Sequence, residues 1–127
     1  MKIKYFINKE ERTVVCVLEN CKYDFVNFLA RVDNPLVDTT TNLKYLMPFS
    51  FRGRARCSEE DTWDEDYGMR LAYHRAKNAH DKCLFNKCNK LMAYLDKKAD
   101  ELADTLSLFG HKLARNYERR EKTLKIE

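Results

Sequence analysis

Apolar and polar residues alternate along the start of the chain in the way that is typical of β-strands. Ile3, Tyr5 and Ile7 alternate with Lys2, Lys4 and Phe6, and side chains two residues apart share one face of a strand. The segment 13–18 is β-branched and apolar, which favours a second strand. Because the polar stretch 8–12 separates the two, the pattern predicts a β-hairpin.

A short helix is predicted next, from about Cys21 to Val32. Its apolar residues recur at helical spacing: Phe25, Phe28, Leu29 and Val32. Asn20 is a residue type that commonly caps a helix N-terminus. Pro35 ends the helix, because the residue before a proline avoids the α conformation. The stretch 36–47 is predicted to be a polar loop.

The residues from Phe49 to Cys57 alternate strictly between two kinds of side chain. In a strand, this pattern places apolar and small residues on one face and Arg52, Arg54 and Arg56 in a row on the other. Guanidinium groups donate paired hydrogen bonds to phosphates and carboxylates. The pattern therefore predicts a third strand that presents an anion-binding row, with a solvated, charge-protected edge as the alternative.

Residues 58–66 are acidic and carry helix-starting signals, of which Thr62-x-x-Glu65 is a capping box. From Trp63 onward the chain has no proline and many strong helix formers. A first helix is predicted at about 63–79, with a seam of small residues that allows close packing on a sheet or a helix. The seam consists of Gly68, Ala72, Ala76 and Ala79.

A second helical segment carries an apolar stripe at helical spacing. Its members are Leu84, Cys88, Leu91, Leu95, Ala99, Leu102, Leu106, Phe109, Leu113 and Tyr117. At 1.5 Å per residue this segment would be about 50 Å long, which exceeds the dimensions of a small domain. Two alternatives follow: the chain folds back near Gly110, or the stripe packs against a second copy. In both, Leu91, Leu95, Leu102 and Leu106 are predicted to be buried.

The order β-β-α-β-α-α predicts an α+β fold. A small antiparallel sheet (β-β-α-β) is followed by a long C-terminal helical segment or helical hairpin. We expect residues 1–80 to form the α+β body. Residues 81–127 are expected to form a helical arm that packs on the body or dimerises.

The composition is typical of a soluble globular protein, with 44% hydrophobic and 35% charged residues. No apolar run approaches the roughly 20 residues of a membrane span, and residues 1–8 lack the apolar core of a signal peptide. We therefore expect a cytoplasmic protein without membrane contact. The five cysteines are scattered without CxxC spacing, which argues against a disulfide framework.

Positive charge is concentrated late in the chain: residues 67–127 hold fourteen Lys or Arg against eight Asp or Glu, and the net charge is +4. This balance permits either nucleic acid or an acidic protein surface as partner. The predicted partner-binding residues are Arg52, Arg54, Arg56, Glu59, Glu60, Asp61, Asp64, Arg70 and Arg75. The predicted nucleic-acid contact consists of Lys112, Arg115, Arg119 and Arg120, for which a solvated helix face is the alternative.

Metal binding and catalysis find little support in the sequence. His74, His80, Cys83 and Cys88 lie close in the chain, but on a helix Cys88 points about 140° away from Cys83, so the group does not converge. Walker, GxSxG and HExxH motifs are absent from the sequence. We expect no metal, no cofactor and no enzymatic activity.

One stretch of the chain carries a spaced motif. It runs Gly53-x-Ala55-x-Cys57, then Asp61-x-x-Asp64-x-x-x-Gly68-x-x-Leu71-Ala72-x-x-Arg75-Ala76. The opening of the chain reads Phe6-Ile7-Asn8-Lys9-Glu10 before Arg12-Thr13-Val14-Val15. Both patterns resemble those of a family of small, uncharacterised proteins of phages and prophages of Gram-positive bacteria. The resemblance covers about half the chain and supplies no catalytic motif. It implies a mobile-element origin and action in a host cytoplasm.

Small phage proteins of this build include inhibitors of bacterial immunity, anti-CRISPR proteins among them. By analogy, the expected function is a non-enzymatic protein that binds and inhibits a host defence complex, such as a CRISPR effector nuclease. The alternative is a nucleic-acid-binding phage accessory protein that uses the arginine strand and the basic C-terminal helix. A homodimer through that helix is compatible with both.

Overall fold

The structure, a computed structural model, describes residues 1–31 and 45–124, except for the side chain of residue 124. Its elements are β1 (Lys2–Asn8), β2 (Thr13–Glu19), α1 (Asp24–Arg31), β3 (Phe51–Arg56) and α2 (Glu65–Leu124). The predicted α+β class, a small antiparallel sheet followed by a long C-terminal helix, is confirmed. The chain forms two compact units, Met1–Cys88 and Asn89–Glu127.

The sheet has the order β1-β2-β3, and both strand pairs are antiparallel. Cys16, at the centre of the sheet, pairs with Tyr5 of β1 and Gly53 of β3. These three residues therefore lie on the same face of the sheet, which we call the inner face. Residues one position along, such as Arg54, belong to the outer face. The β1–β2 hairpin was predicted correctly. Its turn has no glycine, and Arg12 adopts the left-handed φ of 55° instead.

The core lies on the inner face of the sheet, where α2 covers it. Val14, Cys16 and Leu18 of β2 and Ala55 of β3 pack with Ala72 and Ala76 of α2. All six side chains are buried. The predicted small-residue seam is therefore a packing surface at Ala72 and Ala76, whereas Ala79 is exposed.

The start of α1 differs from the prediction. Asn20 was expected to cap a helix from Cys21, but α1 begins at Asp24, and Asn20 instead has a positive φ of 64° directly after β2. The Asp24 amide donates to the Cys21 carbonyl at 3.1 Å, which closes a tight turn before the helix. The predicted helix end at Val32 and most of the predicted 36–47 loop lie outside the described residues.

The start of α2 also differs from the prediction. The cap is Asp64, not Thr62, because an Asp64 carboxylate oxygen accepts the Tyr67 amide at 3.0 Å and thereby satisfies one of the free amides of the first turn. Two helices were expected in this part of the chain. The structure has one helix without a break from Glu65 to Leu124, Gly110 included, so the fold-back near Gly110 was wrong.

The apolar stripe of the second unit is mostly uncovered. Leu91 is buried and Leu95 half-buried, as expected. Leu102 and Leu106 are 59% and 60% exposed, so their predicted burial within a single chain was wrong. The predicted packing of these leucines against a second copy of the chain stays a prediction. None of the described helices is long and apolar enough to span a membrane.

Candidate functional site

The predicted arginine row is present on the outer face of β3. The strand alternates as expected: Arg52, Arg54 and Arg56 are exposed, and Gly53 and Ala55 between them are buried. Alternate residues of a strand lie roughly 6.6 Å apart, so the three arginine side chains leave the backbone at even intervals along one face. In the described sheet, β3 is an edge strand.

The strand that carries the row is held rigidly from behind. Gly53 lies so close to α2 that a Cβ there would overlap main-chain atoms of Ala72 and Ala76. In addition, Arg75 of α2 donates a 2.6 Å hydrogen bond to the Arg54 carbonyl. Arg75, which was predicted to bind a partner, thus has a structural contact with the row itself.

The sheet register places further residues on the same outer face. Lys4 and Val17 lie in one line with Arg52, and Phe6 and Val15 lie in one line with Arg54. Lys4 forms a 3.2 Å salt bridge with Glu19, which is also on the outer face. Phe6 is 59% exposed, so an aromatic ring stands among the cations. Sequence analysis missed this residue, although the β1 alternation would have placed it there.

A cleft of about 690 Å³ lies at the end of the row, between the β1–β2 turn and the residues after β3. Arg54 and Arg56 line it together with Glu10, Glu11 and Glu59. This end of the outer face therefore presents both signs of charge side by side. A partner with alternating charges would complement it better than one of a single sign.

The predicted acidic residues have two different environments. Asp61 accepts a 2.9 Å hydrogen bond from the Ser58 hydroxyl, and its carbonyl accepts a hydrogen bond from Arg12. Asp64 caps α2. Glu59 and Glu60 are exposed on the same short segment. Of the four predicted acidic residues, Asp61 and Asp64 therefore make hydrogen bonds that hold this segment and the start of α2 in place, whereas Glu59 and Glu60 are exposed to a partner.

The remaining predicted cations lie on α2. Arg70 is exposed in the first unit. The predicted nucleic-acid residues are all exposed in the second unit: Lys112, Arg115, Arg119 and Arg120. At 100° per residue, Lys112, Arg115 and Arg119 fall within about 60° of one another around the helix, and Arg120 lies about 80° from Lys112 in the other direction. Three of the four predicted residues therefore share one exposed side of α2.

A buried polar cluster joins α1 to α2 and was missed by sequence analysis. His80 is 3% exposed. Its Nε2 lies 2.7 Å from Asp24 Oδ2, and its Nδ1 lies 2.9 Å from Asp81 Oδ1. A carboxylate only accepts hydrogen bonds, so the ring makes both when both nitrogens carry a proton. The hydrogen bond from His80 is the main cause that lowers the pKa of Asp81.

Cys21 completes this cluster and gives it the donor set of a metal site. Ligand atoms of Cys21, Asp24 and His80 all lie within 4.8 Å of one another. Burial, and next the nearby Asp24 carboxylate, raise the pKa of the Cys21 thiol to about 11, so the thiol is protonated at neutral pH. A protonated thiol is a poor nucleophile and a poor metal ligand. Together with the occupied His80 nitrogens, this favours a structural clasp.

The residues weighed for a metal in the sequence do not converge on His80. His74 is exposed, and Cys83 and Cys88 are half-buried. Among the described residues, only Cys21, Asp24 and His80 bring three potential ligands together. The Cys21-x-x-Asp24 turn was the available signal, but its third member lies 56 residues beyond Asp24.

No protein-family model, no curated protein and no solved structure matches this chain.

Proposed function

We propose that the protein is a non-enzymatic binding protein whose contact surface is the outer face of the sheet. The observation that carries this proposal is the row of Arg52, Arg54 and Arg56, exposed on a strand that Gly53 locks against α2. Because the backbone of the strand is already held in place, binding needs to order only the arginine side chains. Arginine, like tryptophan and tyrosine, is enriched among the few residues that contribute most of the binding energy of an interface.

A protein surface fits this face better than nucleic acid does. Glu10, Glu11 and Glu59 line the same cleft as Arg54 and Arg56. Phosphates that approached the arginines would meet these three carboxylates, and like charges across an interface oppose binding. A protein that offers carboxylates to the row and basic groups to the cleft satisfies both sets.

The resemblance to phage proteins supplies the class of partner. By analogy with those proteins, the partner is a host defence complex such as a CRISPR effector nuclease. The bound protein then inhibits the complex by covering part of its surface. This step rests on analogy between small phage proteins. The arginine row and the mixed-charge cleft support the contact by their chemistry.

Nucleic-acid binding is the second candidate, and the exposed Phe6 favours it. This ring shares the outer face with Lys4 and Arg54. Aromatic rings surrounded by cations on a sheet are a common platform for stacking the bases of single strands. In this case the sheet face would be the main contact, and the basic residues of the second unit would add to it.

The decisive experiment compares two variants that lose the same charge. One is Arg52→Ala/Arg54→Ala/Arg56→Ala. The matched control removes three exposed lysines of α2, as Lys82→Ala/Lys90→Ala/Lys97→Ala. Both are tested for inhibition of purified defence nucleases and for capture of nuclease-treated host proteins, after circular dichroism has shown that they fold. We expect the arginine variant alone to lose the interaction.

Binding to free DNA and RNA near 150 mM salt separates the two candidates. Direct phosphate contacts would make log K fall with log[salt] by about 0.9 per contact on duplex or about 0.7 on single strands. We expect negligible affinity for free nucleic acid. Submicromolar binding that is lost in the arginine variant would replace the protein-binding proposal with the nucleic-acid one.

A further inference from the structure

The second unit carries a row of large apolar side chains on one side of α2. We call Leu102, Leu106, Phe109, Leu113 and Tyr117 the exposed stripe. Each is between 47% and 66% exposed. At 100° per residue they fall within a sector of about 80°. A helix in water gains most of its stability from packing such a face, so an uncovered stripe of this length marks an interface.

The charges that border the exposed stripe are separated by sign. On one side, the nearest charged residues are Asp96 and Glu121, and further acidic residues lie behind them. On the other side, the nearest charged residues are Lys98 and Lys112. Glu101 lies farther round on that side, and Arg120 lies within the sector of the stripe, beyond Tyr117 at its C-terminal end. We call these two borders the acidic flank and the basic flank. A partner helix must present the opposite order of charges to match both.

A second copy of this chain meets that requirement in one orientation. When two identical helices pack in parallel, their two-fold axis runs along the helices, and the acidic flank of each faces the basic flank of the other. Antiparallel packing instead brings like flanks together. We propose that α2 forms a parallel, in-register homodimer through the exposed stripe.

The proposed pairing brings the flanking charges within reach of each other. Lys98 lies two residues from the height of Asp96 of the partner subunit, which is about 3 Å along the axis. Within its own chain the Lys98 Nζ also lies 3.2 Å from Glu101 Oε2, so this exposed lysine is shared between the two carboxylates. The basic ends of the two helices repel each other in this orientation, but exposed charges are screened over about 8 Å at physiological salt. The short-range pairs therefore decide the orientation.

The spacing of the apolar residues and Gly110 also suit a second helix. From Leu95 to Tyr117 the apolar positions advance 22 residues in six steps, close to the 11-residue period at which helices pair with a slight right-handed twist. Gly110 borders the exposed stripe, and nothing lies within 4 Å of where its Cβ would be. This leaves room for a partner's side chains. The dimer uses only the second unit and is independent of the proposed function.

The mass of the full-length protein in solution tests the dimer. Light scattering should give twice the chain mass of 15.1 kDa. Leu106→Asp places a charge in the contact and should raise the dissociation constant by about 100-fold or more. Leu108→Asp is the matched control, because Leu108 is 72% exposed and lies two residues away, on the opposite side of the helix. The Leu108→Asp variant should remain dimeric. A monomeric wild type, or equal effects of both variants, would overturn the proposal.

Cross-linking tests the orientation. In a parallel, in-register pair each stripe residue meets its own equivalent, so Leu113→Cys should form an intermolecular disulfide on mild oxidation. The background is Cys57→Ser/Cys83→Ser/Cys88→Ser, which removes the three thiols that are not fully buried. Leu108→Cys in that background should not cross-link. Disulfide formation only in a mixture of Leu102→Cys and Leu113→Cys chains would show antiparallel packing and contradict the proposed orientation.

Discussion

Gly53 of β3 lies so close to Ala72 of α2 that a side chain at position 53 would overlap the Ala72 carbonyl oxygen. Both residues are buried, as is Ala76, which lies one turn further along the helix. Only glycine lacks the Cβ that this approach excludes. The contact fixes the distance between the sheet and the helix, and it thereby fixes the strand from which the arginine row projects.

The closeness of this contact predicts that Gly53→Ala destabilises the fold. The atoms that a methyl group would meet are main-chain atoms of a helix, which cannot rotate away as a flexible side chain can. We expect a loss of about 1–3 kcal/mol in the free energy of unfolding, or more. Urea unfolding followed by circular dichroism measures it.

The matched control is the same substitution at a glycine position with open space around it, Gly110→Ala. Gly110 has nothing within 4 Å of its would-be Cβ and lies inside α2, where alanine is favoured over glycine by about 0.8–1 kcal/mol. This variant should be stabilised. Similar small changes in both variants would contradict the close contact at Gly53.

The clasp between α1 and α2 predicts that His80→Ala is strongly destabilising. The change empties a buried position and leaves Asp24 without its 2.7 Å partner. We expect a loss of about 3–5 kcal/mol. The control is His74→Ala, the same change at an exposed position, which should stay within about 0.5 kcal/mol of wild type. Thermal unfolding of both variants gives the comparison, and equal melting temperatures would rule out the clasp.

Local patterns were sufficient to predict much of the first unit. Strict alternation identified β3 and the exposed side of Arg52, Arg54 and Arg56, because a strand with one buried face constrains every second residue. The small residues Ala72 and Ala76 marked a close contact before its partner was known. These signals are short-range, so a single sequence carries them.

Features that depend on distant residues could not be predicted. His80 meets Asp24 across 56 residues, and no spacing rule connects them. For the long C-terminal segment the sequence left two alternatives, a fold-back near Gly110 or an extended segment that meets a second copy. The structure has one continuous helix, because a glycine inside a helix costs only about 1 kcal/mol, which the many helix formers around it outweigh.

The raised pKa of Cys21 predicts that the fold loses stability at high pH. A thiol ionises in the unfolded chain at about its ordinary pKa of 9.0 but in the folded chain only at about 11. The folded state therefore holds the proton more tightly, and this contribution is complete below pH 9 and is lost as the pH rises through about 11. Melting temperatures between pH 8 and pH 11 should fall less for Cys21→Ala than for wild type. Parallel curves would show that Cys21 does not contribute.

Metal removal tests the assignment of the Cys21, Asp24 and His80 cluster as a structural clasp. The His80 Nε2 is already 2.7 Å from Asp24 Oδ2, and a metal ion would have to break this contact and displace the Cys21 thiol proton. We expect substoichiometric zinc in protein purified without added metal, and an unchanged circular dichroism spectrum after chelation. Cys21→Ser and the matched Cys88→Ser should then contain equally little zinc. One equivalent of zinc by elemental analysis, lost in Cys21→Ser but retained in Cys88→Ser, would make the cluster a metal site instead.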